Sequence, residues 1–91
     1  MKASGWIDRI KAARGWDSDY RVAQELGVGR ATVSKYRQRD GTLDEDMAIK
    51  VAGVLGERPE AVLLDQYAER TKNPEVRTAL SRAARDLCIL C

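Results

Sequence analysis

The sequence predicts an all-α fold built from five to six short helices. Its 91 residues are enough for one compact domain. Apolar residues recur at helical spacing, and Gly, Asp-Gly and Asn-Pro interrupt them at the points where helices should end or begin. No sustained alternation of β-branched residues, which would indicate a strand, occurs in the chain.

The first two helices are bounded by glycines. Apolar residues predict a first helix over residues 6–14, with Ser4 as its expected cap and Gly15 at the position that ends it. A cluster of Asp and Ser residues then offers caps for a second helix, over about residues 19–26, which Gly27 ends.

The next two helices are separated by a short turn. A third helix is predicted to begin near Arg30 and to run to about Arg39, where the Asp40-Gly41 pair indicates a turn. Thr42 to Glu45 has the spacing of a capping box, which places Glu45 at the third helical position of a fourth helix. Gly56 closes that helix.

Prolines mark the start of the last two helices. Pro59 suits the first turn of a fifth helix. Asn73-Pro74-Glu75 gives the sixth helix a cap, a proline at its first position and an acid near the positive end of its dipole.

Residues 19–38 meet the specification of a helix-turn-helix. Ala23 is small enough for a close crossing of two helices, and Gly27 allows a positive φ in the turn between them. The apolar positions that fix the angle between the helices are Val22, Leu26, Val28, Val33 and Tyr36. The second helix of such a unit enters the DNA major groove. The alternative is an unrelated αα-hairpin.

The third helix has an outward face suited to a groove. With Val33 and Tyr36 inward, a wheel at about 100° per residue turns four side chains outward, namely Ala31, Ser34, Lys35 and Gln38. Small residues let the backbone approach base edges, while Lys35 and Gln38 reach bases or phosphates.

Arginines flank that outward face. Arg30, at the start of the helix, is placed to grip a guanine through two hydrogen bonds. Arg37 lies on the same flank and Arg39 on the other, and both are predicted to clamp phosphates. For each of these residues the alternative is a solvated side chain without a DNA contact.

The segment AQELGVGRATVSKY, followed by DEDMAIKVAGVLG, resembles the Cro/CI-type (XRE-like) phage repressor helix-turn-helix family. The likeness runs from about residue 6 to residue 55. The second half of the chain, GERPEAVLLDQYAERTKNPEVRTALSRAA, resembles small Cro-like regulators of filamentous phages and prophages. The resemblance implies a compact repressor-like domain that binds operator DNA. It also implies base contacts from Arg30, Ala31, Ser34 and Lys35.

Two positions depart from the family pattern. The family often has a neutral phosphate donor where this chain has Asp19, whose charge would repel phosphate. Ser18 or Tyr20 is the expected substitute. The recognition helix follows Gly29 instead of a Ser or Thr cap; glycine caps a helix adequately but offers no hydroxyl to accept a hydrogen bond from a backbone N–H.

The chain is expected to divide into a helix-turn-helix core over residues 1–58 and a helical extension of the same domain over residues 59–91. The extension carries a short heptad-like stripe: Val76, Leu80, Ala83, Leu87 and Leu90. Two interpretations remain open, packing on the same chain or formation of a two-fold dimer.

Charge is distributed unevenly along the chain. Residues 1–41 hold nine Lys/Arg and five Asp/Glu, a net +4, whereas residues 42–91 hold seven and nine, a net −2. Residues 26–39, the basic segment, contain four cations and no anion. Such a segment is typical of a phosphate-binding surface, and a solvated helix face is the alternative.

Catalysis and cofactor binding are not expected. The chain has no His, which removes the commonest general base and zinc ligand, and no Gly-rich phosphate loop is present. No metal or small-molecule site is indicated. No signal peptide or membrane span is visible, and Cys88 and Cys91 do not make a disulfide framework, so a cytoplasmic protein is expected.

These observations predict a transcriptional repressor that binds palindromic double-stranded operators as a homodimer. Helix-turn-helix proteins usually read two half-sites about 34 Å apart. The alternatives are a DNA-binding antitoxin whose acidic half covers a toxin, and a protein-interaction adaptor that does not bind DNA.

Overall fold

The computed structural model describes residues 1–39 and 41–89, and within them the chain forms six α-helices and no strand. The helices are α1 (Ala3–Arg14), α2 (Asp19–Leu26), α3 (Arg30–Arg39), α4 (Glu45–Leu55), α5 (Pro59–Arg70) and α6 (Pro74–Leu87). The all-α prediction is therefore confirmed, and Asp40, Leu90 and Cys91 lie outside the described residues.

Two predicted caps are wrong. α1 begins at Ala3, so Ser4 lies inside its first turn, and the Ala3 N–H is satisfied by the carbonyl of Gly41 at 2.8 Å. α4 is capped by Asp44, whose Oδ1 accepts from the Met47 N–H at 2.8 Å. Glu45 is then the first helical residue, not the third. The Asp44 carboxylate caps α4 because Asp44 directly precedes the first helical residue, whereas Thr42 lies two residues further upstream.

The hydrophobic core lies mainly between α1, α2 and α4. α3 contributes Val33, the loop before α4 contributes Leu43, and α5 contributes Val62, all almost completely buried. Trp6 supplies bulk in a chain without Phe, and its ring nitrogen donates to Asp65 Oδ2 at 3.3 Å. This core holds α2 and α3 in place against the rest of the domain.

Gln66 ties α5 to the first half of the chain. Its side chain is fully buried, accepts from the Leu43 N–H at 2.6 Å and donates to the Met1 carbonyl at 2.7 Å. Burial of an amide is tolerated because both ends have partners.

α6 packs along α5, and its Ala84 is buried there. The stripe residues Val76, Leu80, Ala83 and Leu87 are half-buried. α6 ends at Leu87, so Cys88 follows the helix instead of belonging to it. Over the described residues, none of the helices has the length and apolar character that a membrane crossing would need.

Candidate nucleic-acid interface

The turn between α2 and α3 has the geometry that the sequence predicts. Gly27 has φ 70°, and the N–H groups of Gly27 and Val28 return to carbonyls of the last turn of α2. These bonds satisfy backbone oxygens that the end of a helix would otherwise leave unpaired. Ala23 and Val33 are each 1% exposed and belong to the same hydrophobic core, as the sequence predicts for these positions.

All five predicted base-contact residues are exposed to solvent. We call them the reading face: Arg30, Ala31, Ser34, Lys35 and Gln38. Val33 is buried on the opposite side of α3, which fixes the rotation of the helix about its axis. The structure thus brings these side chains together on one open surface.

Arg30 lies over an aromatic ring from α2. Its guanidinium carbon is 5.3 Å from the centroid of Tyr20, and the Tyr20 hydroxyl accepts from Gln24 Nε2 at 3.3 Å. A cation–π contact of this kind uses none of the N–H donors of the guanidinium in a hydrogen bond. The Tyr20 ring therefore contacts Arg30 at the start of α3 and leaves its donors available. Sequence spacing gave no signal for this pair.

Ser18 caps α2 and remains exposed. Its Oγ accepts from the Tyr20 N–H at 3.1 Å, which satisfies one N–H at the helix start. A hydroxyl that accepts one bond still has its own proton to donate. The cap and a contact to an external acceptor are therefore compatible.

Arg37 is committed to contacts within the domain. Its Nη2 lies 2.7 Å from Asp8 Oδ1 and 2.9 Å from Asp19 Oδ1, and its Nε lies 3.0 Å from Asp19 Oδ2. The hydrogen bonds from Arg37 hold the pKa of both carboxyls below the usual range. Arg37 thus joins α1, α2 and α3. Because its donors bind Asp8 and Asp19, we do not propose it as a phosphate contact.

The same contacts explain why an acid stands at the start of α2. Asp19 pairs with Arg37 and with Lys11, whose Nζ is 3.2 Å from its Oδ1. The sequence indicated only that Asp19 would repel phosphate. Its position 18 residues before Arg37 corresponds to no local helix spacing, so the pairing was missed.

Three cations of the basic segment stay available. Within residues 1–39 and 41–89, Arg30, Lys35 and Arg39 form no ion pair, and all three are exposed. Lys35 and Arg39 lie beside Gly41 and Thr42 along a shallow cleft of about 340 Å³. Among the described residues, positive charge without a paired acid therefore lies at both ends of α3.

Residues 5–64 match the family model described as the bacteriophage CI repressor helix-turn-helix domain. The chain belongs to this bacteriophage CI repressor helix-turn-helix family. No curated protein and no solved structure matches the chain. The family assignment confirms the resemblance to CI-type repressors and makes DNA the partner of the helix-turn-helix.

The region shared with the CI repressor domain runs from α1 into α5, so it includes the whole reading face. α6 lies beyond the match. In the described part of the chain, no three His, Cys, Asp or Glu side chains form a group that could hold a metal ion.

Proposed function

We propose that this protein is a sequence-specific transcriptional repressor, a Cro-like phage or prophage regulator that binds palindromic operators as a homodimer. One observation carries the proposal: the reading face is open, and Arg30 is oriented on Tyr20 at the start of α3. An arginine held in this way matches the two acceptors of a guanine edge in the major groove.

The other residues take roles that follow from size and charge. Ala31 and Ser34 let the helix approach the bases closely, and Lys35 and Gln38 contact bases beside them. Ser18, Tyr20 and Arg39 are proposed to contact phosphates, which fix the register but carry little sequence information.

A dimer would supply the specificity that a single α3 lacks, because one recognition helix contacts few base pairs. Residues 1–58 would form the DNA-binding core and residues 59–91 the extension. Bound across a promoter, such a dimer would exclude polymerase. The proposed site of action is the nucleoid in the cytoplasm of a prokaryotic host cell.

Selection of bound sequences from a random duplex pool tests the proposal. A palindromic consensus is expected. Arg30→Ala should weaken binding to it by about 1–3 kcal/mol and relax the preference at one base pair per half-site. Arg82→Ala, which removes an exposed arginine from α6, is the matched control and should leave both unchanged.

Two results would contradict the proposal. Absence of duplex binding even at low salt would favour a protein-interaction adaptor. Equal weakening of all sequences by Arg30→Ala would make Arg30 a phosphate contact and remove it from the base-reading set.

A further inference from the structure

The Tyr20 ring and the Arg30 guanidinium form a contact between α2 and α3. The guanidinium carbon lies 5.3 Å from the ring centroid, and both side chains line a small cleft of about 100 Å³ together with Val33 and Ser34. Tyr20 is 49% exposed, so burial in the core does not account for an aromatic residue here. An exposed arginine otherwise adopts many rotamers, and fixing it on binding costs affinity. The ring therefore restricts Arg30 already in the free protein.

The acid that lines this cleft is engaged elsewhere. Asp19 accepts hydrogen bonds from Arg37 through both carboxylate oxygens, at 2.9 and 3.0 Å, and Lys11 Nζ lies 3.2 Å from its Oδ1. Within the described part of the chain, Arg30 forms no ion pair. Its guanidinium thus rests on a ring instead of a carboxylate, which would compete for the donors that read a base.

The hydroxyl of Tyr20 is available for a second contact. Its oxygen accepts a hydrogen bond from Nε2 of Gln24, one turn further along α2, at 3.3 Å. A phenol that accepts one bond still has its own proton to donate, and tyrosine hydroxyls are among the groups that bind DNA phosphates. One side chain can therefore bind a phosphate with its hydroxyl while its ring supports Arg30.

We propose that Tyr20 determines the base preference of this protein although it contacts no base. Its hydroxyl binds a phosphate, and its ring holds Arg30 in the orientation that places two N–H donors on a guanine edge. Without the ring, Arg30 is free to turn towards phosphates or other acceptors beside any base pair, so the preference for guanine is lost. Tyr20 is thus a positioning residue, and this inference rests on the proposed repressor function.

The ring and the hydroxyl can be tested separately, because Tyr20→Leu removes both and Tyr20→Phe removes only the hydroxyl. Each variant is titrated with the selected consensus duplex and with a duplex that has adenine in place of the guanine at which Arg30→Ala relaxes the preference. Tyr20→Leu should reduce the ratio of the two affinities at least about fivefold. Tyr20→Phe should keep that ratio and weaken both duplexes evenly, with an unchanged salt slope, because no charge is lost.

Further variants make the test specific to the contact between the two side chains. Tyr20→Leu combined with Arg30→Ala should give the same ratio as Arg30→Ala alone, because both changes remove one contact. Tyr20→Gln, a second variant without a ring, should lower the ratio as Tyr20→Leu does. Tyr67→Leu, which removes an exposed tyrosine of α5, is the matched control and should keep the wild-type ratio. The melting temperatures of all these variants separate lost positioning from lost folding.

A wild-type ratio in folded Tyr20→Leu or Tyr20→Gln would overturn the inference, as would an equal loss of the ratio in Tyr20→Phe or Tyr67→Leu. Failure of the proposed function looks different. In that case no duplex would bind, or Arg30→Ala would leave the base preference unchanged.

Discussion

At the scale of single residues, Arg37 and Arg39 differ although they lie two positions apart on α3. Arg37 makes hydrogen bonds to carboxylates of α1 and α2, while Arg39 is exposed and has no ion pair in the described part of the chain. The sequence predicted the same phosphate contact for both. A helical wheel of α3 gives the direction of each side chain but cannot show which neighbouring helix places an acid beside it.

Alanine variants should distinguish the role of Arg37 in stability from the role of Arg39 in DNA binding. Arg37→Ala leaves Asp8 and Asp19 without their main partner and should lower the free energy of unfolding by about 1–2 kcal/mol. Arg39→Ala should leave the melting temperature unchanged, weaken DNA binding evenly across sequences and reduce the salt slope by about 1.

Thermal denaturation and binding titrations at several salt concentrations check both outcomes. If Arg37→Ala melted like the wild type and flattened the salt slope, Arg37 would be a phosphate contact after all.

At the scale of the elements, the helix-turn-helix depends on a backbone conformation at Gly27. Its φ of 70° lies in the left-handed region, and a Cβ added there would meet no atom within 4 Å. Any cost of a side chain at this position is therefore conformational. Gly53 is the useful contrast, because it lies inside α4, is exposed and also has open space around a Cβ.

Gly27→Ala and Gly53→Ala should have effects of opposite sign. The first should lower the free energy of unfolding by about 1 kcal/mol or more, since L residues disfavour a positive φ. The second should raise it by about 0.5–1 kcal/mol, because alanine is the better helix former. Chemical denaturation of both variants measures the difference, and equal effects would argue against the left-handed turn.

The helices could be predicted well where glycine or proline interrupts the chain. The bounds of α2 and α3 follow from Gly27 and from the apolar spacing on either side of it. Capping was predicted less well at α4, because Thr42 and Asp44 both offer an oxygen and only the local backbone decides between them. The stacking of Arg30 on Tyr20 depends on the crossing of α2 and α3, which spacing alone does not define.

At the scale of the whole molecule, two surfaces are formed by different parts of the fold. The reading face belongs to α3, whereas an apolar groove of about 460 Å³ requires α4, α5 and α6 together. The apolar lining of this groove consists of Ile49, Leu63, Leu64, Tyr67 and Leu80. The sequence predicted the first because a helix-turn-helix is local. The groove could not be predicted, since it exists only where three helices fail to cover Ile49 and Tyr67.

Global stability should depend on acid pH through the contacts between α1, α2 and α3. Arg37 lowers the pKa of Asp8 and Asp19 in the folded protein from the usual value of 3.8. A carboxyl with a depressed pKa stabilises the fold fully above its unfolded pKa, and this contribution is lost as the pH falls through the folded pKa. The melting temperature should therefore fall from about pH 5 downward, as both groups take up protons.

Asp19→Asn should reveal how much of this pH dependence comes from the charge of Asp19. At pH 7 it should be less stable than the wild type, because it lacks the charged partner of Arg37 and Lys11. The gap should begin to close as the pH falls below about 4, where the carboxyl takes up a proton in the unfolded chain. It should close fully only when the pH has passed below the lowered pKa of Asp19 in the folded protein. Asp17→Asn, a change at an exposed neighbour, should follow the wild type throughout. A gap that stays constant from pH 7 to pH 3 in thermal denaturation would mean that the charge of Asp19 does not stabilise the fold.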